Sequence, residues 1–114
     1  MSVLNISNNF IEDISPLLKL VNLSELNMGY NEIIDISPIR NIKRIRWLWV
    51  NNNKISDITV LLDLLNSGAI DTFSTVDIRY NNLNLTNSSN NKKVIDVLIE
   101  AGVDLKWEEG NKIY

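Results

Sequence analysis

The strongest constraint on this chain is an apolar frame that returns every 22 residues. Ile45, Leu48, Val50 and Asn53 stand 22 positions after Leu23, Leu26, Met28 and Asn31, which stand 22 after Met1, Leu4, Ile6 and Asn9. A motif this short cannot bury its apolar side chains alone, so each copy must stack on the next, and the period selects a solenoid before any propensity is considered. In register the units read MSVLNISNNFIEDISPLLKLVN, LSELNMGYNEIIDISPIRNIKR and IRWLWVNNNKISDITVLLDLLN. Each fits L-x-x-L-x-L-x-x-N-x-I, with another apolar residue three positions on.

Within the stretch IRWLWVNNN, Ile45, Leu48 and Val50 turn one way and Trp47 and Trp49 the other, as alternating residues of a strand do. Each unit is expected to give one strand to a parallel sheet with a spacing of ~4.8 Å, so residues at equal repeat positions form columns. The column Asn9, Asn31, Asn53 and Asn81 is expected inside the turn, each amide bonded to backbone, because a buried amide without a partner is costly. Asp13, Asp35 and Asp57 form a second column. Calcium or acid–base chemistry could use three carboxylates, but each is better explained by backbone amides of the turn before Ile14, Ile36 and Ile58. Ser15-Pro16 and Ser37-Pro38 continue that turn.

The fourth unit breaks the spacing, since Phe73, Val76, Ile78 and Asn81 follow Ile45, Leu48, Val50 and Asn53 by 28 residues. The extra six fall in the return segment, where DITVLLDLLNSG predicts a helix stopped by Gly68. Beyond VDIRYNNLNL the repeat fades into the polar stretch TNSSNNKK. KKVIDVLIEAG then predicts a helix with Val94, Ile95, Leu98, Ile99 and Ala101 on its apolar face and Gly102 at its end. The likeness of DLLNSGAID to DVLIEAGVD makes this helix the convex element of a last modified turn, with VDLKW placed to add a terminal strand. The segment is the expected C-terminal cap. No matching cap precedes the first unit, so Leu4, Ile6, Ile11 and Ile14 are expected to line an exposed end, met by another copy or by a missing domain.

The segments IEDISPL from Ile11, IIDISPI from Ile33 and ISDITVL from Ile55, with the strand motifs before them, resemble the leucine-rich repeat family, specifically its 22-residue class that includes the bacterial internalins. The resemblance implies an α/β fold: a short right-handed solenoid with a concave parallel sheet, an irregular or helical convex side and a helical C-terminal cap. It implies one domain over residues 1–114, with repeats at about 1–22, 23–44, 45–72 and 73–90 and the cap at 91–114. It also implies that the concave face binds proteins.

The outward-facing strand positions are where the units diverge. Unit one presents Ser2, Val3, Asn5, Ser7 and Asn8; unit two Ser24, Glu25, Asn27, Gly29 and Tyr30; unit three Arg46, Trp47, Trp49, Asn51 and Asn52; unit four Ser74, Thr75, Asp77, Arg79 and Tyr80. Aromatic and arginine side chains dominate the energetic centres of interfaces. The expected partner-binding residues are therefore Glu25, Tyr30, Arg46, Trp47, Trp49, Asn51, Asp77, Arg79 and Tyr80, with Glu25 and Asp77 set against Arg46 and Arg79 to orient a protein partner. A loop or the tail carrying Trp107 could instead fold over the tryptophans. Carbohydrate recognition by the aromatic faces and self-association through the uncapped end are the alternatives to protein binding.

Composition narrows the chemistry. The chain has no cysteine and no histidine, so thiol nucleophiles, zinc sites of the usual kind and histidine acid–base catalysis are absent. The serines and threonines have no histidine to activate them, and Met28-Gly29-Tyr30 and Ser67-Gly68 are not phosphate loops. No enzyme and no cofactor are expected. A formal charge of −3 gives no general field for nucleic acid. There is no membrane-length apolar run and no basic segment followed by an apolar core at the start. A cytoplasmic location is the expectation, with transfer to a host by a route lacking a cleavable signal left open.

Overall fold

The computed structural model describes residues 2–111. Met1, assigned to the first frame, and residues 112–114 of the expected cap lie outside them. The chain runs β1 (Ser2–Asn5), a 3-10 helix (Ser15–Lys19), β2 (Leu23–Asn27), a second 3-10 helix (Ser37–Asn41), β3 (Trp47–Trp49), α1 (Thr59–Asn66), β4 (Thr75–Asp77), α2 (Asn90–Glu100) and β5 (Asp104–Lys106). The strands form one parallel sheet in chain order. Leu4, Leu26, Leu48, Val76 and Leu105 are register partners across it. Val76 thus lies beside Leu48 despite the longer spacing, and the inserted residues are accommodated outside the sheet.

The convex turns follow from the acidic column. The carboxylates of Asp13, Asp35 and Asp57 accept from the backbone N–H of Ser15, Ser37 and Thr59 at 2.9, 2.8 and 2.8 Å. The Ser15 backbone bond, followed by its side chain, holds the Asp13 carboxyl below its ordinary range; the Thr59 hydroxyl and N–H do the same for Asp57. Proline at the start of each of the first two return segments fixes a tight 3-10 turn. In the third unit Val60 occupies the corresponding position, and the segment continues as the two-turn helix α1, which buries Val60, Leu61 and Leu64. Gly68, at φ +85°, ends it in a conformation that glycine adopts without strain.

The core lies between the sheet and these return segments, in layers such as Met28, Val50 and Ile78 or Ile36 and Ile58. Its two ends differ. At the first unit Leu4, Ile6 and Ile11 are only partly buried. At the other end, α2 packs against α1 and β5. Trp107 follows β5 in the inward column of Val50 and Ile78 and packs on the core, with Lys92 Nζ 5.5 Å from its ring centroid. Trp107 therefore closes the end of the core and does not cover the other tryptophans. Asn91 fastens the cap, donating to Ser56 O at 2.8 Å and accepting from Ile58 N–H at 3.2 Å.

Four expectations are corrected. Ile14 is buried and not part of the exposed end, because the 3-10 helix after it packs on that of the second unit. Phe73 is 74% exposed, although its frame position is inward. Ala69 and Ile70 enter the core ahead of it. Ser74, expected to face outward, turns in so that its hydroxyl donates to Ile45 O at 2.7 Å. On α2, Val94, Ile95 and Leu98 are buried, whereas Ile99 and Ala101 face solvent, because no further element covers that side of the helix among the described residues. No helix of the described residues is long and apolar enough to cross a membrane.

Candidate functional site

The outer face of the sheet consists of two rows fixed by register. One is Val3, Glu25, Trp47, Thr75 and Asp104; the other is Asn5, Asn27, Trp49, Asp77 and Lys106. In the second row the polar residues have a local duty. Asn5, Asn27 and Asp77 each accept a hydrogen bond from the backbone N–H two residues on, at 3.0, 3.0 and 3.1 Å. These contacts brace the start of the bend that follows each strand. Trp49 is the residue of this row in β3 and can make no such bond. Its indole stacks on Trp47, with centroids 5.4 Å apart and planes 20° from parallel. Trp47 is 36% exposed and Trp49 half-buried, so the pair forms a ridge across the central strand, between Glu25 and Thr75 on one row and Asn27 and Asp77 on the other.

The bend after each strand places one residue in the left-handed region: Asn8, Tyr30, Asn52 and Tyr80 have φ of 60°, 58°, 56° and 58°. Asparagine tolerates this well; a bulkier residue pays about 1 kcal/mol. The final unit has Gly110 there, φ 77°, where a side chain would collide with Tyr80. Tyr30 and Tyr80 are nevertheless 56% and 50% exposed at the rim of the sheet. Asn52 holds their position in the unit between, and the half-buried Asn51 before it donates to Asn52 Oδ1 at 2.8 Å. The neighbouring Gly29 leaves it room: an added Cβ would sit 2.9 Å from Asn51 Oδ1.

The charged residues are arranged differently from expectation. Asp77 is 3% exposed, and its carboxylate takes both Nε and a terminal nitrogen of Arg79, at 3.0 and 2.7 Å. Asp77 is therefore an internal brace and not a free outward charge. The paired carboxylate, by hydrogen bond and then by charge, pushes the Arg79 guanidinium well above its ordinary range, with Glu109 and Tyr80 adding less. Arg79 is thus locked in place with its charge largely compensated. Glu25 is half-buried beside Trp47 and Arg46 is exposed just before it.

Behind this face runs the asparagine ladder. Asn53 donates to Met28 O and Val50 O at 3.0 and 3.1 Å and accepts from Ile33 N–H at 3.1 Å, tying its own bend to the preceding unit. Asn31 and Asn81 repeat the pattern. Asn9 is exposed and bonds only within its own bend. The sequence pattern did not reveal a fifth rung, Asn111, which donates to Ile78 O and Trp107 O and accepts from Asn81 and Leu83 N–H. No apolar motif precedes it at the usual spacing; only its place shortly after VDLKW could have marked it. Among the described residues no group of acidic side chains is placed to hold a metal.

A sheet of one short parallel strand per unit, laced by an asparagine at each bend, defines a leucine-rich-repeat solenoid. A family model for leucine-rich repeats in two copies matches residues 1–41. Among solved structures, an internalin (inlF) of Listeria monocytogenes matches with a TM-score of 0.80 at 30% identity, over 100% of this chain and 30% of that one. Internalin C2 of the same organism matches with a TM-score of 0.69 at 26% identity, over 90% of this chain and 40% of that one. No curated protein matches. The chain has the leucine-rich-repeat solenoid fold of these internalins, and it spans less than half the length of either one.

Proposed function

We propose that the chain is a non-catalytic protein-interaction module that holds a partner protein on its concave sheet. Trp47 and Trp49 are the anchors, with Glu25, Tyr30, Arg46, Asn51, Arg79 and Tyr80 around them and Asp77 acting by holding Arg79. One observation carries the reading: Trp49 stands in a row where three other strands place a side chain that braces the backbone, and its indole instead stacks on Trp47. A large apolar surface kept partly in water at a central position, in place of a residue with a structural task, is accounted for by a partner that covers it. The tyrosines add weight, since both are exposed on strained backbone where asparagine would serve the fold. Repeats of this family commonly bind proteins through this face, which agrees with the placement.

The test is affinity capture from the source cell or its host, with the chain and a W47A/W49A variant as parallel baits. A protein retained by the first and lost by the second, and not displaced by a panel of glycans, supports the reading. Equal capture by both baits removes the anchors, and displacement by a sugar replaces the protein partner with a carbohydrate.

A further inference from the structure

The six-residue insertion ahead of the fourth strand does more than lengthen a return segment. Because Ala69 and Ile70 take the core positions, Phe73 is left outside, and between it and the earlier units opens a cleft of about 510 Å³. Its walls are Val21 and Ser24 on one side and Asp71 and Phe73 on the other, with Lys43, Ile45 and Arg46 between. It lies where the return segments enter the strands, one residue from Trp47.

The inserted wall is rigidly held. Asp71 accepts from Arg44 at 3.0 Å through one carboxylate oxygen and from Phe73 N–H at 2.9 Å through the other. Its own N–H donates to Ser74 Oγ at 3.1 Å, and Ser74 in turn is tied to Ile45 O. The phenyl ring is thus presented by a bonded loop whose shape exists before any ligand arrives. The charge is local and opposite to that of the molecule. Lys43, Arg44 and Arg46 line the cleft against Asp71 alone, in a chain of net charge −3. Arg44 is paired with Asp71; among the described residues Lys43 and Arg46 have no ion-pair partner.

We propose that this cleft is a second recognition site that takes an acidic, extended peptide segment: one apolar side chain packs against Phe73 and Val21 while flanking carboxylates meet Lys43 and Arg46. Charge complementarity selects a carboxylate-rich occupant, and the space is that of a few residues. A nucleic acid fits less well, since two uncompensated cations with a carboxylate beside them make no phosphate track. The site stands on the cleft and its charge and does not depend on the tryptophan reading.

The experiment is titration of the isotope-labelled full chain, followed by amide NMR shifts, with the peptide Glu-Asp-Leu-Asp-Glu. Comparison ligands are Lys-Lys-Leu-Lys-Lys, Glu-Asp-Gly-Asp-Glu and a thymidine hexanucleotide. The expected result is saturable shifts of Lys43–Arg46 and Asp71–Ser74 with the first peptide only. Its affinity should fall by about fivefold or more in F73A and in K43E/R46E, fall with added salt, and stay unchanged in W49A. Phe73, Lys43 and Arg46 are exposed, so their replacement leaves the core whole, which the unchanged amide spectrum of each variant checks. Absence of saturable shifts at these residues overturns the proposal, as does equal binding of the basic or glycine peptide, or preferential binding of the oligonucleotide. A result that W49A alone abolishes binding would assign the peptide to the concave face and also overturn it.

Discussion

Two columns cross the same strands a few residues apart, and only one of them is constant. In the ladder every described bend has asparagine, from Asn9 to Asn111, because its amide donates to a carbonyl of its own bend in each unit and, from Asn31 on, to one of the preceding unit. In the outer row Asn5, Asn27 and Asp77 share a smaller task, and the sequence departs from it at Trp49 in the centre and at Lys106 on the last strand. The difference separates what the solenoid needs from what it carries. A position fixed by backbone hydrogen bonds repeats with the period, and a position that abandons them is free to serve a partner.

The comparison can be broken first at its constant side. N53A should lower the unfolding free energy by roughly 2 kcal/mol, because Ile33 N–H loses its acceptor in the interior while Met28 O and Val50 O each keep only one amide donor, from Asn31 and Asn81. Urea denaturation measures it, and a loss near zero would show that water replaces the amide without cost. N9A, at the exposed end of the same ladder, should cost well under half of that, since its bonds are open to solvent. The two tyrosines offer a smaller and opposite effect. Y30N should raise stability by about 0.5–1 kcal/mol through relief of left-handed strain while weakening any partner held at that rim; a lower melting temperature would mean that the ring supports the fold.

The smallest effect is titrational. Asp57 has a lowered carboxyl pKa in the folded chain, so its contribution to stability is present above the unfolded value of roughly 4 and is lost as pH falls through the folded value. The group is mostly in water, so the contribution is less than about 1 kcal/mol. D57N should therefore flatten part of the fall in stability between pH 5 and 3; an unchanged slope would show that the Thr59 bonds are equally strong in the protonated acid.

Much of the fold was legible in the sequence, because the 22-residue period, the Asn column and the Asp turns each express a backbone requirement that recurs. The places where reading failed are places without recurrence. Phe73 obeys the frame by position, yet the inserted Ala69 and Ile70 reach the core first, and competition of that kind leaves no mark in a spacing. Asn111 was hidden because the last unit sets the amide one residue farther from its apolar strand positions, Leu105 and Trp107, than the earlier units do. On the outer face, alternation alone identified the tryptophan pair. Whether Asp77 stays free or binds its neighbour Arg79 depends on side-chain reach, which alternation does not encode.

The central claim is that Trp49 serves a partner and not the fold. With a partner captured by the concave face, affinity and melting temperature of W49A measured together test it directly. The account predicts a loss of more than about 2 kcal/mol in binding with the melting temperature within a few degrees of the parent chain. Unchanged affinity, or a collapse of the melting temperature that accounts for the lost binding, would contradict it.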